Sequence, residues 1–423
     1  MALRTYSYLD CLNLPDPLSR WVPESLEAVA PQWEKIDATV FINQYRVLEA
    51  FRQERVSDAD FAESSGYGYG DQGRDKLERI FARVFHGEAA LVRSQMVSGT
   101  HALCIALFAL LRPGELLLSL TGPPYDTLQT VIGSKGSEEG NLAQWGIRYH
   151  YCQETDRRGY PDLEGLDPAL NPRLILIQRS PGYDPYRPPL TISLMESLIA
   201  AARRRYPEAW ILVDNCYGEF VEAWEPTAAG ADLLVGSLIK NPGGGLAPGG
   251  GYAVGRRELI HKVAARMTAP GLNAALGPLT AKRNLYQGLF MAPVLAGNAL
   301  KNAVFAAHLF ARMGYPVRPA FDQERGDIVQ TIFLKSAEKV RRFCQAIQKY
   351  SPVDAHLTLE PAPLPGYEDP VIMAAGTFYQ GASGELSADA PMREPYAVFL
   401  QGGLTLPHAL AATCLAAAEV LKE

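Results

Sequence analysis

From about Gly66 to Gly255 the chain alternates short apolar runs, bounded by Gly and Pro, with segments of helical periodicity. That alternation predicts βα units around a mainly parallel sheet. The predicted strands are Leu116–Leu120, Ile147–Tyr151, Leu174–Gln178, Ile211–Asp214, Leu233–Ser237 and Tyr252–Val254. Runs this apolar expect cover on both faces. Between two of them, Ser193-Leu-Met-Glu196 reads as a capping box opening a helix that runs to Tyr206. Residues 1–65 hold a helical stretch around Phe41–Arg55 but no strand pattern, and read as an N-terminal extension packed on the main body or on a partner subunit. Downstream, a helical pattern over Ala296–Met313 leads to a strand at Ile328–Leu334, a helix at Ala337–Tyr350, strands near Val371 and Ala397–Leu400, and a last helix from about Pro407. The Pro-rich stretch Glu360–Gly366 is too short for a linker and reads as a surface loop. The expected organisation is an extension (1–65), a large α/β domain (66–295) and a small α+β domain (296–423).

Composition narrows the class without changing this layout. In 423 residues, 48% are hydrophobic and 20% charged, so a substantial core can be buried. The net charge of −6 and the scattering of 40 Lys and Arg residues offer no polyphosphate track, so nucleic acid is not expected as a partner. The first twenty residues, from Met1 to Arg20, lack an apolar leader core, and no run approaches the roughly 18 consecutive apolar residues of a membrane span; the expectation is a cytoplasmic protein without a membrane partner. Six cysteines without a CxxC pair read as reduced thiols, and seven dispersed histidines give no metal-ligand spacing.

The candidate chemistry sits at strand ends. Asp214 closes one apolar strand, and Lys240 follows another, 26 residues later (240 − 214). Open α/β sheets expose their ligand-binding groups at such carboxyl ends. A lysine and a carboxylate on the same rim are what pyridoxal 5′-phosphate (PLP) requires: the amine joins the aldehyde and the carboxylate keeps the pyridine nitrogen protonated. Either residue alone is as well explained by a strand-end charge capping the sheet edge. Upstream, Ser98-Gly99-Thr100 precedes an apolar helical run from Ala102 to Leu111, an arrangement suited either to a phosphate dianion or to a plain N-cap. Ser237 is a further candidate phosphate donor. Tyr125, in a strand-end loop, is placed either to stack on a pyridine ring or to plug the sheet end. Gly68-Tyr-Gly70-Asp-Gln-Gly73 matches the dinucleotide fingerprint in letters, but no apolar strand precedes it. The glycines after Lys240 likewise miss the P-loop order.

These residues resemble the PLP-dependent enzymes of the aspartate aminotransferase fold (type I), and among them the methionine γ-lyase-like group known as aluminium resistance proteins. The resemblance is carried by Gly66-Tyr-Gly-Tyr69…Gly73-Arg74-Asp-Lys-Leu-Glu78, Val92 through Ala102, Val213 through Phe220, Gly236 through Gly245 and Arg393 through Gly403. It implies Lys240 as the lysine that bonds PLP, Asp214 at the pyridine nitrogen, Gly99 and Thr100 amides with Ser237 at the phosphate, and Tyr125 on the ring; the Ser98 and Thr100 hydroxyls, by their place before the helix, can add donors there. It also implies that Tyr69 and Arg74 serve the phosphate of a neighbouring subunit, so that a homodimer or homotetramer shares its active sites. Arg393 is the candidate for gripping the α-carboxylate of an amino-acid substrate, with Arg179 next. The expected reaction is a cystathionine β-lyase- or methionine γ-lyase-like elimination, with Lys240, its pKa lowered by burial and the nearby cationic cofactor, removing the α-proton. An aminotransferase or aldolase on the same cofactor, or a PLP-binding protein without catalysis, are the alternatives. The related lyases carry Ser-x-Thr-Lys where this chain has Ser237-Leu-Ile-Lys240, one hydroxyl fewer.

Overall fold

The computed structural model describes residues 7–156, 159–364 and 366–422; part of the N-terminal segment from Met1 and Pro365 of the Pro-rich loop lie outside them. The large unit is a seven-stranded sheet built from β1 (Ala89–Arg93), β2 (Leu116–Ser119), β3 (Arg148–Tyr151), β4 (Pro172–Gln178), β5 (Trp210–Asp214), β6 (Leu233–Ser237) and β7 (Gly251–Gly255), in the order β1-β7-β6-β5-β4-β2-β3. Only β7 runs against its neighbours. Successive residues of one strand bury into opposite layers: Ile211 and Val213 of β5 join one core cluster, Leu212 the other. Both faces are therefore covered, as the unbroken apolar runs require. The crossover and flanking helices are α2 (Gln72–Val84), α3 (Gly99–Leu110), α4 (Asp126–Ile132), α5 (Ile192–Arg205) and α6 (Arg257–Met267). Helix α5 starts two residues before the expected capping box: Thr191 is the N-cap and its hydroxyl accepts from the Leu194 amide. Strand β1 was not expected, because its Ala-Ala-Leu-Val-Arg run is short and follows a helix directly.

Two long helices tie this unit to the second. Helix α1 (Leu18–Gln53) extends far ahead of the expected Phe41, through Pro23 and Pro31. Interior prolines break helical hydrogen bonds, so the sequence pattern argued against this extension. Packing supplies what propensity withholds: Leu18, Val22 and Leu26 enter the small unit's core, while Val47 and Ala50 enter the large one's. Helix α7 (Lys282–Arg312) likewise runs through Pro293, and the expected boundary at 295/296 falls in its middle. Among the described residues α7 is the one helix long and apolar enough to cross a membrane, a match that counting uninterrupted apolar residues missed; 72% of its most apolar window is buried against the rest of the molecule.

The small unit is an antiparallel sheet of β8 (Val317–Arg318), β9 (Gln330–Phe333), β10 (Val371–Ala374), β11 (Ser387–Pro391) and β12 (Ala397–Gln401), ordered β10-β11-β12-β9-β8, with α8 (Ala337–Lys349) and α9 (Leu406–Leu421) on one face. That face carries Ile372, Ala388, Ala390, Val398, Leu400 and Ile332 into a common core with both helices. The other face turns toward the carboxyl ends of β4, β5 and β6.

Candidate active site

Four parallel strands deliver polar groups to one rim. Asp214 ends β5, Gln178 ends β4, Ser237 ends β6 with Lys240 three residues on, and Tyr125 lies in the loop after β2. Together with the start of α3 and residues of the small unit they enclose a cavity of about 250 Å³. Ser98, Gly99, Thr100, Tyr125, Asp214, Ser237 and Lys240, singled out in the sequence as separate motifs, all line it.

At one end stands the amino terminus of α3. The Ser98 hydroxyl accepts from the His101 amide at 3.0 Å, which is an N-cap. Gly99 and Thr100 are the first two helical residues, whose amides have no intrahelical acceptor. The N-cap and anion-site readings of this turn are thus compatible, since the cap uses one lone pair and leaves those amides and the helix dipole facing outward. A side chain at Gly99 would come within 3.3 Å of both Ser237 Cβ and Cys216 Sγ, so its absence keeps the floor of the cavity open. Ser237 Oγ is buried without a hydrogen-bond partner. A buried hydroxyl left without a partner facing free helix amides fits a phosphate group.

Tyr125 is positioned from both ends. Its amide donates to Gln178 Oε1 at 3.0 Å and its hydroxyl lies 3.0 Å from Thr100 Oγ1. Asp214 accepts from the Cys216 amide at 3.1 Å, and burial still pushes its carboxyl above the usual carboxylate range. Such a group gains from a protonated ring nitrogen set against it. Behind it, Asn215 bonds Glu225 at 3.0 Å and Arg179 at 2.9 Å.

Lys240 is partly buried in the cavity wall. Its Nζ sits 3.6 Å from the centre of the Tyr217 ring and 3.4 Å from Ser383 Oγ. Burial pulls its pKa down, but Tyr217, Cys216 and Asp389 outweigh that and hold it above the ordinary lysine value. Of the two causes expected to lower it, burial acts in that direction but is outweighed by these neighbours. Tyr217 has φ 71°, a left-handed backbone rarely adopted by a bulky residue, and that backbone places its ring beneath the amine. Its signal in the sequence was its place three residues after Asp214.

Neither candidate arginine is among the lining residues. Arg179 is buried at 1% exposure and spends its guanidinium on Asn215 Oδ1, Gly218 O (2.8 Å) and Glu222 (2.7 Å), bracing the turn behind Asp214. Arg393 is paired with Asp369 at 2.9 Å on the surface. Arg74 is buried too, its guanidinium held by Gly68 O (2.9 Å), Gly277 O (3.0 Å) and Asp75, so it stiffens the loop ahead of α2 instead of reaching out of it. Tyr69, on that loop, is 67% exposed. Residues the sequence did not flag complete the far end: Tyr183, Tyr367, Phe399 and Gln401.

The family model for methionine gamma-lyase matches residues 19–421. The chain belongs to the methionine gamma-lyase family. It is 49% identical over 418 residues to YnbB, an uncharacterized protein of Bacillus subtilis, covering 98% of this chain and 99% of that one. A carbon-sulfur lyase involved in aluminum resistance from Clostridium novyi superposes with a TM-score of 0.92 at 42% identity, each chain covered in full. A Clostridium acetobutylicum protein, provisionally named a cystathionine beta-lyase involved in aluminum resistance, gives 0.93 at 42% identity, with 98% of each chain covered. A methionine gamma lyase of Micromonospora echinospora shares the fold at 20% identity and a TM-score of 0.52. The fold of this family member is therefore that of the type I PLP-dependent enzymes, a large mostly parallel sheet domain with a separate small antiparallel sheet, and membership in the methionine gamma-lyase family implies PLP as cofactor.

Proposed function

We propose that the protein is a PLP-dependent carbon-sulfur lyase acting on a sulfur-containing amino acid, with Lys240 as the lysine that carries the cofactor. The observation that carries this reading is the convergence of Lys240, Asp214, the α3 amino terminus and Ser237 on one cavity. When bound, PLP supplies an electron sink for charge leaving the substrate α-carbon.

The chain's own residues do the rest. The Gly99 and Thr100 amides with the Ser98 and Ser237 hydroxyls hold the phosphate. Asp214 holds the proton on the ring nitrogen, and a cation there returns the buried carboxyl to its charged form. Tyr125, fixed by Gln178 and Thr100, covers the ring face. The Lys240 amine takes the α-proton once it has shed its own, and the tyrosine-lined wall keeps water away while it does so. Tyr69, on an exposed loop braced by Arg74, reaches the phosphate site of a second subunit, which makes a homodimer or homotetramer the active form.

Two measurements test this. Lys240→Ala protein incubated with PLP and then borohydride is expected to retain no covalently bound cofactor; retention equal to the unmodified chain would reassign the lysine. With sulfur amino acids, the holoenzyme is expected to release thiol, ammonia and keto acid in equal amounts. Amino-group transfer without thiol release would replace the lyase reading by an aminotransferase one.

A further inference from the structure

The sheet of the small unit has one apolar face and one polar face, and both are buried. In the β11–β12 register Asp389 pairs with Phe399 and Ser387 with Gln401. Directly paired residues project from the same face. Phe399 and Gln401 line the cavity, so Ser387 and Asp389 are carried on its side of the sheet. Asp389 is 6% exposed; its Oδ2 accepts from Gln401 Nε2 at 2.9 Å, while its Oδ1 has no hydrogen-bond partner. The Ser387 hydroxyl beside it is also buried and without one.

The surroundings of this carboxylate are aromatic. Tyr183 packs against Phe399 with ring centres 5.2 Å apart and against Tyr367 at 5.6 Å. The Tyr183 hydroxyl turns to the Asp389 carboxyl, and a buried carboxylate with only neutral partners is suited to a cation. The same cavity already holds one cation, the Lys240 ammonium, which rests on the Tyr217 ring. Among the described residues Lys240 is the only cationic side chain lining the cavity. Once its nitrogen is engaged with the cofactor, as the lyase reading requires, Asp389 has no protein cation opposite it.

We propose that Asp389, with the Tyr183, Tyr367 and Phe399 rings, is a specificity-determining residue that selects amino acids whose side chain ends in a positively charged nitrogen. The substrate's side-chain ammonium pairs with Asp389 while the Lys240 nitrogen is engaged with the cofactor. A neutral side chain of the same length desolvates the carboxylate and gives nothing back. The inference rests on Lys240 as the cofactor lysine, but not on carbon-sulfur cleavage.

The test uses matched pairs on the holoenzyme. S-(2-aminoethyl)cysteine is expected to exceed S-propylcysteine in kcat/KM by about 10- to 100-fold, and Asp389→Asn to bring the ratio of the two kcat/KM values close to one through the KM of the charged substrate, whatever the variant's absolute activity. Calorimetric titration with lysine against norleucine, neither of which has a carbon-sulfur bond to cleave, is expected to show the same preference and its loss in Asp389→Asn. An equal fall for charged and neutral members of each pair would make Asp389 a counter-charge for Lys240 and overturn the proposal. Absence of any preference in the unmodified enzyme would also overturn it, without needing the variant to fold. If neither cysteine derivative is cleaved, the lyase reading fails and the lysine titration still decides this one.

Discussion

Glu219 lies behind Lys240 and shows how charge is managed there. It is fully buried, with Oε1 accepting from the Tyr252 hydroxyl at 2.8 Å and Oε2 without a partner, and burial raises its pKa from 4.5 to about 8. An unfolded chain releases this proton near pH 4.5, whereas the folded one keeps it until near pH 8. Stability from this group is therefore present in full below pH 4.5 and drains away as pH rises to about 8. Glu219→Gln keeps the acceptor for Tyr252 and cannot ionise. Relative to the unmodified protein it is expected to gain stability progressively between those pH values, reaching a few kcal/mol, and to gain nothing further above them. Denaturant unfolding across pH checks this; a gain that does not depend on pH would mean that the carboxyl is not the titrating group. The residue was invisible as a site in the sequence because nothing in Tyr217-Gly-Glu219-Phe220 distinguishes a buried acid from a surface one.

At the scale of elements, the glycines after Lys240 are explained by a helix crossing. Gly243 and Gly244 lie flush against α7 at Gly288, so close that a methyl group at Gly288 would press into the Gly243 carbonyl. Replacing a mid-helix glycine by alanine ordinarily gains about 1 kcal/mol. Here the clash is with backbone that cannot step aside, and overpacking of this kind costs about 1–3 kcal/mol or more. Gly288→Ala is expected to destabilise the protein by about 2 kcal/mol net and to weaken PLP retention, because the displaced segment carries Lys240. A neutral or stabilising effect in unfolding experiments would show that the crossing is looser than its geometry.

The same scale separates what was readable in the sequence from what was not. β4, β5 and β6 could be read because uninterrupted Leu, Ile and Val between turn residues have few other uses, and Asp214 and Lys240 were found because they end such runs. β11 was missed. Its Ser-Ala-Asp-Ala-Pro sequence has poor strand propensity and gains its place by pairing with β10 and β12. With it went Asp389, which β11 carries beside the cavity residue Phe399. The extents of α1 and α7 were underestimated for a related reason, since long-range packing overrides the three prolines that punctuate them. Arg179 and Arg393 were chosen as arginines near motifs, and only three dimensions reveal that their charges are already spent on Glu222 and Asp369.

At the scale of the whole molecule, Tyr67 and Tyr69 stand 70% and 67% exposed on a loop whose base is locked by Arg74. A rigid loop presenting aromatic side chains away from its own cavity suits a site shared between subunits. If Tyr69 serves the neighbour's phosphate, a Tyr69→Ala chain and a Lys240→Ala chain, each inactive alone, are expected to recover about a quarter of full activity when unfolded together, refolded and mixed in equal amounts, since random pairing gives half hybrids with one intact site each. No recovery in hybrids shown to have formed would confine each site to one chain.

The paired long helices also set how the protein comes apart. Because α1 and α7 each bury residues in both cores, neither unit can lose its packing without exposing apolar surface that belongs to the other. Severing the chain at 295/296 would cut through α7 and leave two fragments with open interiors, not two domains. The molecule has two sheets, but thermodynamically it is a single cooperative block. The cavity between the sheets is thus held by the same free energy that holds the fold, which keeps Asp389 registered against Lys240 without a partner, ligand or loop having to order it.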